Sequence, residues 1–253
     1  MGMTIITGAS SGIGRSLARR LAADGEPVVL VARREALLNS LIEEIEHAGG
    51  QAMAIACDVT DCAAVHEAVR QAEARFGPTI RLVANAGGAL GSQAFSAAHV
   101  AAVVDLNLIG VANCVEAVLP GMLARRAGHL VAVSSLAASR GLPGSAAYSA
   151  AKAGLTNMME SLRIDLRSQG VDVTIIAPGF VRTKAGTSKK KTKPLRLELE
   201  PATRLMHRAI QARKPYYAFP KSLVALVWIA RLLPAALYDR LLAGRGPRAK
   251  MAR

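Results

Sequence analysis

Short runs of consecutive apolar residues alternate along this chain with longer segments in which apolar residues recur every three or four positions. The runs fall at 3–7 (MTIIT), 27–32 (PVVLVA), 52–56, 80–84, 129–134 and 171–177. They are continuous rather than alternating, as expected of strands covered on both faces in a parallel sheet. Between them the helical period predicts helices over 13–23, 35–48, 61–76, 105–126 and 147–168. In the first, Ile13, Leu17 and Leu21 share one face; in the second, Leu38, Leu41, Ile42 and Ile45 point inward; Asp61 caps the third. Strand and helix alternating at this spacing predict βαβ units and a doubly wound parallel α/β sheet in a single domain. Beyond residue 183 the pattern loosens. A helix over 200–213 with Pro201 in its first turn, a short strand at 216–220, and an apolar stretch at 223–237 that Pro234 divides into two short helices complete the chain.

Composition alters this picture little until charge is mapped. The chain has 253 residues, 51% of them apolar, enough for one sizeable core and too apolar for global disorder. Its net charge of +14 is unevenly placed. Residues 1–183 balance 15 basic against 15 acidic side chains, whereas residues 184–253 carry 17 basic and 3 acidic ones. A neutral body with a basic C-terminal quarter implies an anionic partner. Cys57, Cys62 and Cys114 form an odd, scattered set without CxxC spacing, which predicts reduced core thiols rather than disulfides or a metal site. The first strand starts at Met3 with nothing left over for a targeting leader, so a cytoplasmic chain is expected.

The turn after the first strand reads TGASSGIG, residues 7–14. Gly8, Gly12 and Gly14, with Ser10, Ser11 and Ile13 between them, allow a tight turn and a close approach of phosphate to backbone. The following helix offers free N–H groups and a positive dipole end. At the tip of the second strand, where an acidic residue would bind the ribose hydroxyls of NAD, stand Arg33 and Arg34. Guanidinium forks suit a 2′-phosphate, so the expected cofactor is NADP(H). Asp58 and Val59, just past the third strand, fall beside the adenine. Asn85, Ala86 and Gly87, past the fourth, bring backbone against the cofactor.

The stretch VSSLAASRGLPGSAAYSAAKAG, residues 133–154, carries the candidate chemistry. Ser135 ends a buried strand, where ligands bind in such sheets. Tyr148 and Lys152, four residues apart on a helix, share a face. A phenol with a reference pKa of about 10 is a poor base. An adjacent ammonium and an oxidised nicotinamide favour phenolate and are expected to lower that value. Ser135 can donate to a substrate oxygen. Asn107, polar among Leu106, Leu108 and Ile109, reads either as a satisfied core amide or as the holder of a water that relays protons from Lys152.

TGASSGIG, DVT, NAG, Asn107, Ser135, YSAAK and PGFVRT occur in that order and together resemble the short-chain dehydrogenase/reductase family over about residues 3–183. The resemblance implies a Rossmann-type sheet of seven strands, with residues 1–183 as the dinucleotide-binding and catalytic core. Residues 184–253 follow as a basic substrate loop, helix and apolar extension of the same domain. It implies Tyr148 as acid/base, Lys152 lowering its pKa and holding the nicotinamide ribose, Ser135 orienting the carbonyl and Asn107 supporting the relay. Pro178, Gly179, Val181 and Thr183 would bound the nicotinamide. The family often has two asparagines before "AG", and Ala84 in place of the first puts one strand-bridging hydrogen bond in question.

In such a protein the TSKKKTKPLR stretch, residues 187–196, falls in a loop over the substrate. It reads as a contact for anionic lipid, a dock for an acidic carrier of 3-oxoacyl thioesters, or a solvated lid. The apolar 223–237 stretch has one charge, Arg231, and is too short to span a bilayer, which needs about 20 residues. It reads as a membrane-surface segment, the interface of a homodimer or homotetramer, or a pocket wall. No nucleic-acid motif accompanies the charge, so no specific nucleic-acid partner is expected. The expected activity is NADPH-dependent reduction of a hydrophobic, lipid-like 3-keto substrate, with 3-oxoacyl thioester reduction and a catalytically inactive NADP-binding module as alternatives.

Overall fold

The computed structural model describes residues 2–90, 95–183 and 195–243. Seven strands, β1 (Met3–Thr7), β2 (Val28–Ala32), β3 (Ala52–Ala56), β4 (Thr79–Ala84), β5 (Gly128–Val133), β6 (Val171–Pro178) and β7 (Tyr216–Phe219), form one sheet in the order β3-β2-β1-β4-β5-β6-β7. Every neighbouring pair is parallel. Alternate residues of the continuous apolar strands feed two cores. Met3, Ile5, Val29 and Val31 face one, while Ile6, Val28 and Leu30 face the other. Helices α1 (Gly12–Ala23), α2 (Glu35–His47) and α7 (Leu199–Gln211) cover the second face, and α3 (Cys62–Phe76), α5 (Gly110–Ala124) and α6 (Ala146–Leu166) the first. Asp61 caps α3 by accepting from the amide of Ala64. Strand order reverses between β1 and β4, and in such sheets ligands bind beyond the strand ends at that crevice.

The helix expected over 105–126 departs from its expected course. It begins earlier, as α4 (Ala97–Val104), and passes through a π-helical turn at Asp105–Ile109 before continuing as α5. Although long and apolar, the run Ala97–Ala124 is partly packed inside the fold. The C-terminal quarter supplies β7 to the same sheet, and the apolar end forms α8 (Lys221–Leu232) and α9 (Ala235–Leu242), divided at Pro234 as expected. Cys57 and Cys114 are buried thiols, and desolvation pushes Cys114 up to about 12. Cys62, expected in the core, is instead exposed at the start of α3. Its sulfur, a His66 nitrogen and a Glu116 oxygen lie within 4.8 Å of one another on the open surface.

A buried polar network ties the strand ends opposite the crevice. The Arg81 guanidinium donates to both carboxylate oxygens of Glu26 at 2.7 and 2.5 Å, and Thr4 adds a hydroxyl bond to the same carboxylate at 2.7 Å. Arg81 Nε also donates to His129 Nδ1 at 3.3 Å, so His129 carries its proton on Nε2 and gives it to Thr174 Oγ1 at 2.8 Å. Burial, with the Arg81 and Arg213 charges beside it and Asp172 opposing them, lowers His129 from 6.5 to about 3. An unfolded histidine protonates near 6.5, so stability is fully present above that pH and is lost as pH falls toward 3. The expected cost approaches about 1.4 kcal/mol per pH unit. Urea unfolding at pH 7 and about 5.5, above the range where most carboxylates titrate, should show the onset of this loss in the wild type and less of it in His129→Gln. Equal slopes for the two proteins would remove His129 as the cause.

Candidate active site

The glycine turn between β1 and α1 is built for an anion. Gly8 and Gly12 have φ of +67° and +57°, which side chains resist, and a Cβ on Gly12 would lie 3.2 Å from Thr183 Cγ2. Ser11 is the N-cap of α1 but makes no side-chain cap bond, and no acidic residue stands in the first turn. The first amides of the helix therefore face the crevice with their partial positive charge. Thr7 Oγ1 accepts from the amides of Asn85 and Ala86, each at 3.0 Å, and Asn85 Nδ2 donates to Thr7 O at 3.0 Å. Asn85 thus supplies the bridge between β1 and β4 that Ala84, buried in the strand, does not.

The two arginines at the tip of β2 take different partners. Arg34 Nη2 donates to Ser10 Oγ at 2.8 Å and Ser11 Oγ at 2.9 Å, so its charge lies against the glycine turn. Arg33 is 70% exposed and pairs with Asp58 at 3.4 Å. Burial opposes ionisation of Asp58, but hydrogen bonds from Thr60 and the Arg33 charge hold its carboxyl below the usual range.

At the end of β5, Ser135 Oγ accepts from the Ala137 amide at 3.1 Å, which leaves its proton to donate, and it acts on the Tyr148 phenol in the direction that favours ionisation. Lys152 is buried, 5.9 Å from the Tyr148 ring centroid, and its Nζ donates to Val133 O at 2.9 Å. Burial lowers the ammonium to about 8. Burial also raises the Tyr148 phenol above 10, with the Ser135 hydrogen bond opposing. The protein's own groups therefore work against the expected fall, and Tyr148 stands as a neutral phenol at physiological pH.

These groups share one cleft of about 610 Å³. Its wall includes every expected site residue except Gly14 and Asn107. Gly14 packs instead. A Cβ there would fall 2.4 Å from Gly8 O and 2.6 Å from Asn85 Nδ2, so the glycine lets α1 approach β1.

The sequence profile of the short chain dehydrogenases matches residues 3–194. The chain belongs to the short-chain dehydrogenase/reductase family. As a member it is an NAD(P)-dependent oxidoreductase. It is 41% identical over 237 residues to an uncharacterized oxidoreductase of Myxococcus xanthus, covering 93% of this chain and 94% of that one. It is 36% identical over 180 residues to a 3-oxoacyl-[acyl-carrier-protein] reductase, FabG, of Staphylococcus aureus, covering 70% and 73%. Among solved structures, a 7α-hydroxysteroid dehydrogenase complexed with NADH and 7-oxo glycochenodeoxycholic acid is similar, with a TM-score of 0.80 and 25% identity. That match covers 86% of this chain and 92% of the other. The Myxococcus match is long enough to include α8 wherever it begins.

In this short-chain dehydrogenase the Asn107 side chain is committed to the backbone. Its Nδ2 donates to Gly88 O and Val103 O, both at 2.8 Å, and its Oδ1 accepts from Gly88 N at 3.0 Å. Of the two readings, the side chain takes that of a satisfied core amide. It clamps the loop after β4 from the π-helical turn, where a Cβ on Gly87 would lie 2.6 Å from Oδ1 and 3.2 Å from Lys152 Nζ. Sequence reasoning overlooked Ser134, whose hydroxyl bonds Thr156 Oγ1 at 2.7 Å and Lys152 O at 3.2 Å and so fixes α6 against β5. Phe180 and Arg196, which it named only within the stretches PGFVRT and TSKKKTKPLR, also stand on the cleft wall. Ser134 was marked by the SS pair, and Arg196 only by the charge of its stretch. It reaches the cleft because Leu197 pairs with Val181 and exchanges hydrogen bonds with Phe180 and Arg182. The lysine run at 189–193 lies outside the described residues.

Proposed function

We propose that the protein is an NADPH-dependent reductase of hydrophobic, lipid-like 3-keto substrates. The observation that carries this reading is the neutral Tyr148 phenol beside Ser135 and Lys152, in the cleft whose other end holds the glycine turn and Arg34. The turn amides, Arg34 and Arg33 would hold the phosphates, the 2′-phosphate included. Lys152 would hold the nicotinamide ribose, with Pro178, Gly179, Val181 and Thr183 bounding the ring. The dinucleotide, when bound, supplies the hydride. Ser135 donates a hydrogen bond to the carbonyl oxygen and fixes its position, and Tyr148 delivers the proton that converts the developing alkoxide to the alcohol. A buried phenol suits reduction, because the acid is already protonated when the ketone arrives. Lys152, an ammonium below about pH 8, stabilises the phenolate left behind. Asn107 acts here as a positioning residue through Gly88.

Leu142 and Phe180 give the substrate end an apolar wall. Arg196, on the same wall, has a buried Nε without a partner among the described residues. That favours one second reading, a 3-oxoacyl thioester whose carrier brings phosphates to the cleft, in keeping with the name of the Staphylococcus relative. The test is NADPH consumption with a keto-lipid in detergent and with the matching 3-oxoacyl-coenzyme A. Turnover of the free keto-lipid at least equal to the thioester is expected. Turnover of the thioester alone would replace the first reading by the second, and neither with both cofactors would sink both.

A further inference from the structure

Helix α8 is apolar on all sides, yet only one side is covered. Leu223 is buried, and Val224 and Val227 pack with it against Leu136, Ala177, Phe180 and Ala218. On the outer side Leu226, Trp228, Ile229 and Leu232 are exposed, Leu232 to 82%, and Leu237 and Leu241 of the adjoining α9 are exposed as well. A helix apolar all round belongs in a nonpolar environment. Lys221, Arg231 and Arg240 are exposed on the same two helices, and from residue 201 onward Asp239 is the one acidic residue against 11 basic ones. A second copy seated symmetrically on this face would bring basic surface against basic surface. Anionic headgroups complement the rim, while their acyl chains complement the centre, where Trp228 is an interfacial side chain.

The face is tied to the catalytic segment. Arg140 lies between Ser135 and Tyr148. Its Nη1 donates to the carbonyl of Ala230 and, at 2.9 Å, to that of Leu233, and so caps the C-terminal end of α8. Its guanidinium stacks 3.8 Å over the Tyr238 ring, whose hydroxyl returns to Gly141 O at 2.7 Å. The residues next along that segment, Leu142 and Ser145, line the cleft, and Phe180 both lines it and packs on α8.

We propose that the outer face of α8–α9 docks on an anionic bilayer surface, and that the Arg140–Tyr238 clasp holds the apolar lip of the cleft beside it, so that the ketone enters from the membrane. The source of the substrate rests on the reductase reading above; the docking does not.

The test uses the full-length protein in flotation with phosphatidylcholine vesicles and with an equimolar mixture with phosphatidylglycerol. Binding to the anionic vesicles, weakened but not abolished by salt, is expected, as is its loss in a Trp228→Ala, Leu232→Ser double variant. That variant should keep wild-type turnover of a short soluble ketone and lose turnover of a vesicle-borne one. No flotation of the wild type would overturn the proposal. So would a wild-type oligomer that the double variant dissociates in light scattering, since the face would then belong to a second copy. Absence of soluble-ketone turnover in the wild type would instead strike the reductase reading and leave the flotation result standing. Arg140→Ala should still float, with KM for the vesicle-borne ketone raised about tenfold and kcat kept, as expected for loss of one stacked, capping guanidinium. A fall in kcat at unchanged KM would refute the coupling.

Discussion

Tyr148→Phe should lower kcat for ketone reduction by about 10²- to 10⁴-fold, the range of a lost general acid, while NADPH binding stays within about twofold. The change removes one oxygen from a ring that fills the same space, so packing at the start of α6 is kept. Ser135 would still hold the carbonyl, but no proton source would remain beside the alkoxide. Burial raises the Tyr148 phenol and lowers Lys152 to about 8, so the pH profile carries a second, independent check. Lys152 is a base whose pKa is depressed; its charge is complete well below 8 and is lost as pH rises through that value. The wild-type reduction rate should therefore hold at neutral pH and decline above about 8, because the phenolate left by proton transfer then loses its neighbouring cation. Stopped-flow hydride transfer and cofactor fluorescence, measured on both proteins, separate chemistry from binding. Retained activity in Tyr148→Phe would put the proton donor elsewhere. Equal loss of cofactor binding and turnover would make the phenol a binding group.

The sheet was legible because its strands are covered on both sides, and a strand that feeds two cores has apolar residues at every position. The helices between them showed a single apolar stripe each, and so their boundaries were read to within a few residues. Where that contrast fails, so does the reading. The α4 segment, AAHVAAVV, has no polar face to mark its period. The π-helical turn that follows depends on tertiary packing around Asn107 and leaves no local signature. The glycine turn, Ser135, Tyr148 and Lys152 were legible because their chemistry is tied to fixed spacing along one strand end or one helix. The bridge made by Asn85 was not, and for Asn107 the sequence left two readings without naming the backbone it holds. Each amide bonds backbone that lies far from it in sequence, to Thr7 in one case and Gly88 in the other. The same holds for Arg140, whose partners on α8 lie some 90 positions away.

Arg34→Ala should cut kcat/KM for NADPH by about 10- to 100-fold and leave that for NADH within about twofold. A hydrogen bond to a charged group contributes about 1.5–3 kcal/mol, and only NADPH offers a 2′-phosphate to this guanidinium. Arg33→Ala should cost less, because Arg33 is mostly exposed and already shares its charge with Asp58. Steady-state kinetics with both cofactors decide between two functions for Arg34, since its bonds to Ser10 and Ser11 also brace the glycine turn. If bracing were its main contribution, both cofactors would lose ground together, because both place phosphates on that turn. A loss confined to NADPH assigns the charge to the 2′-phosphate. A wild-type enzyme that prefers NADH would remove the selectivity argument altogether, and Arg34 would then serve to brace the glycine turn and not to select the cofactor.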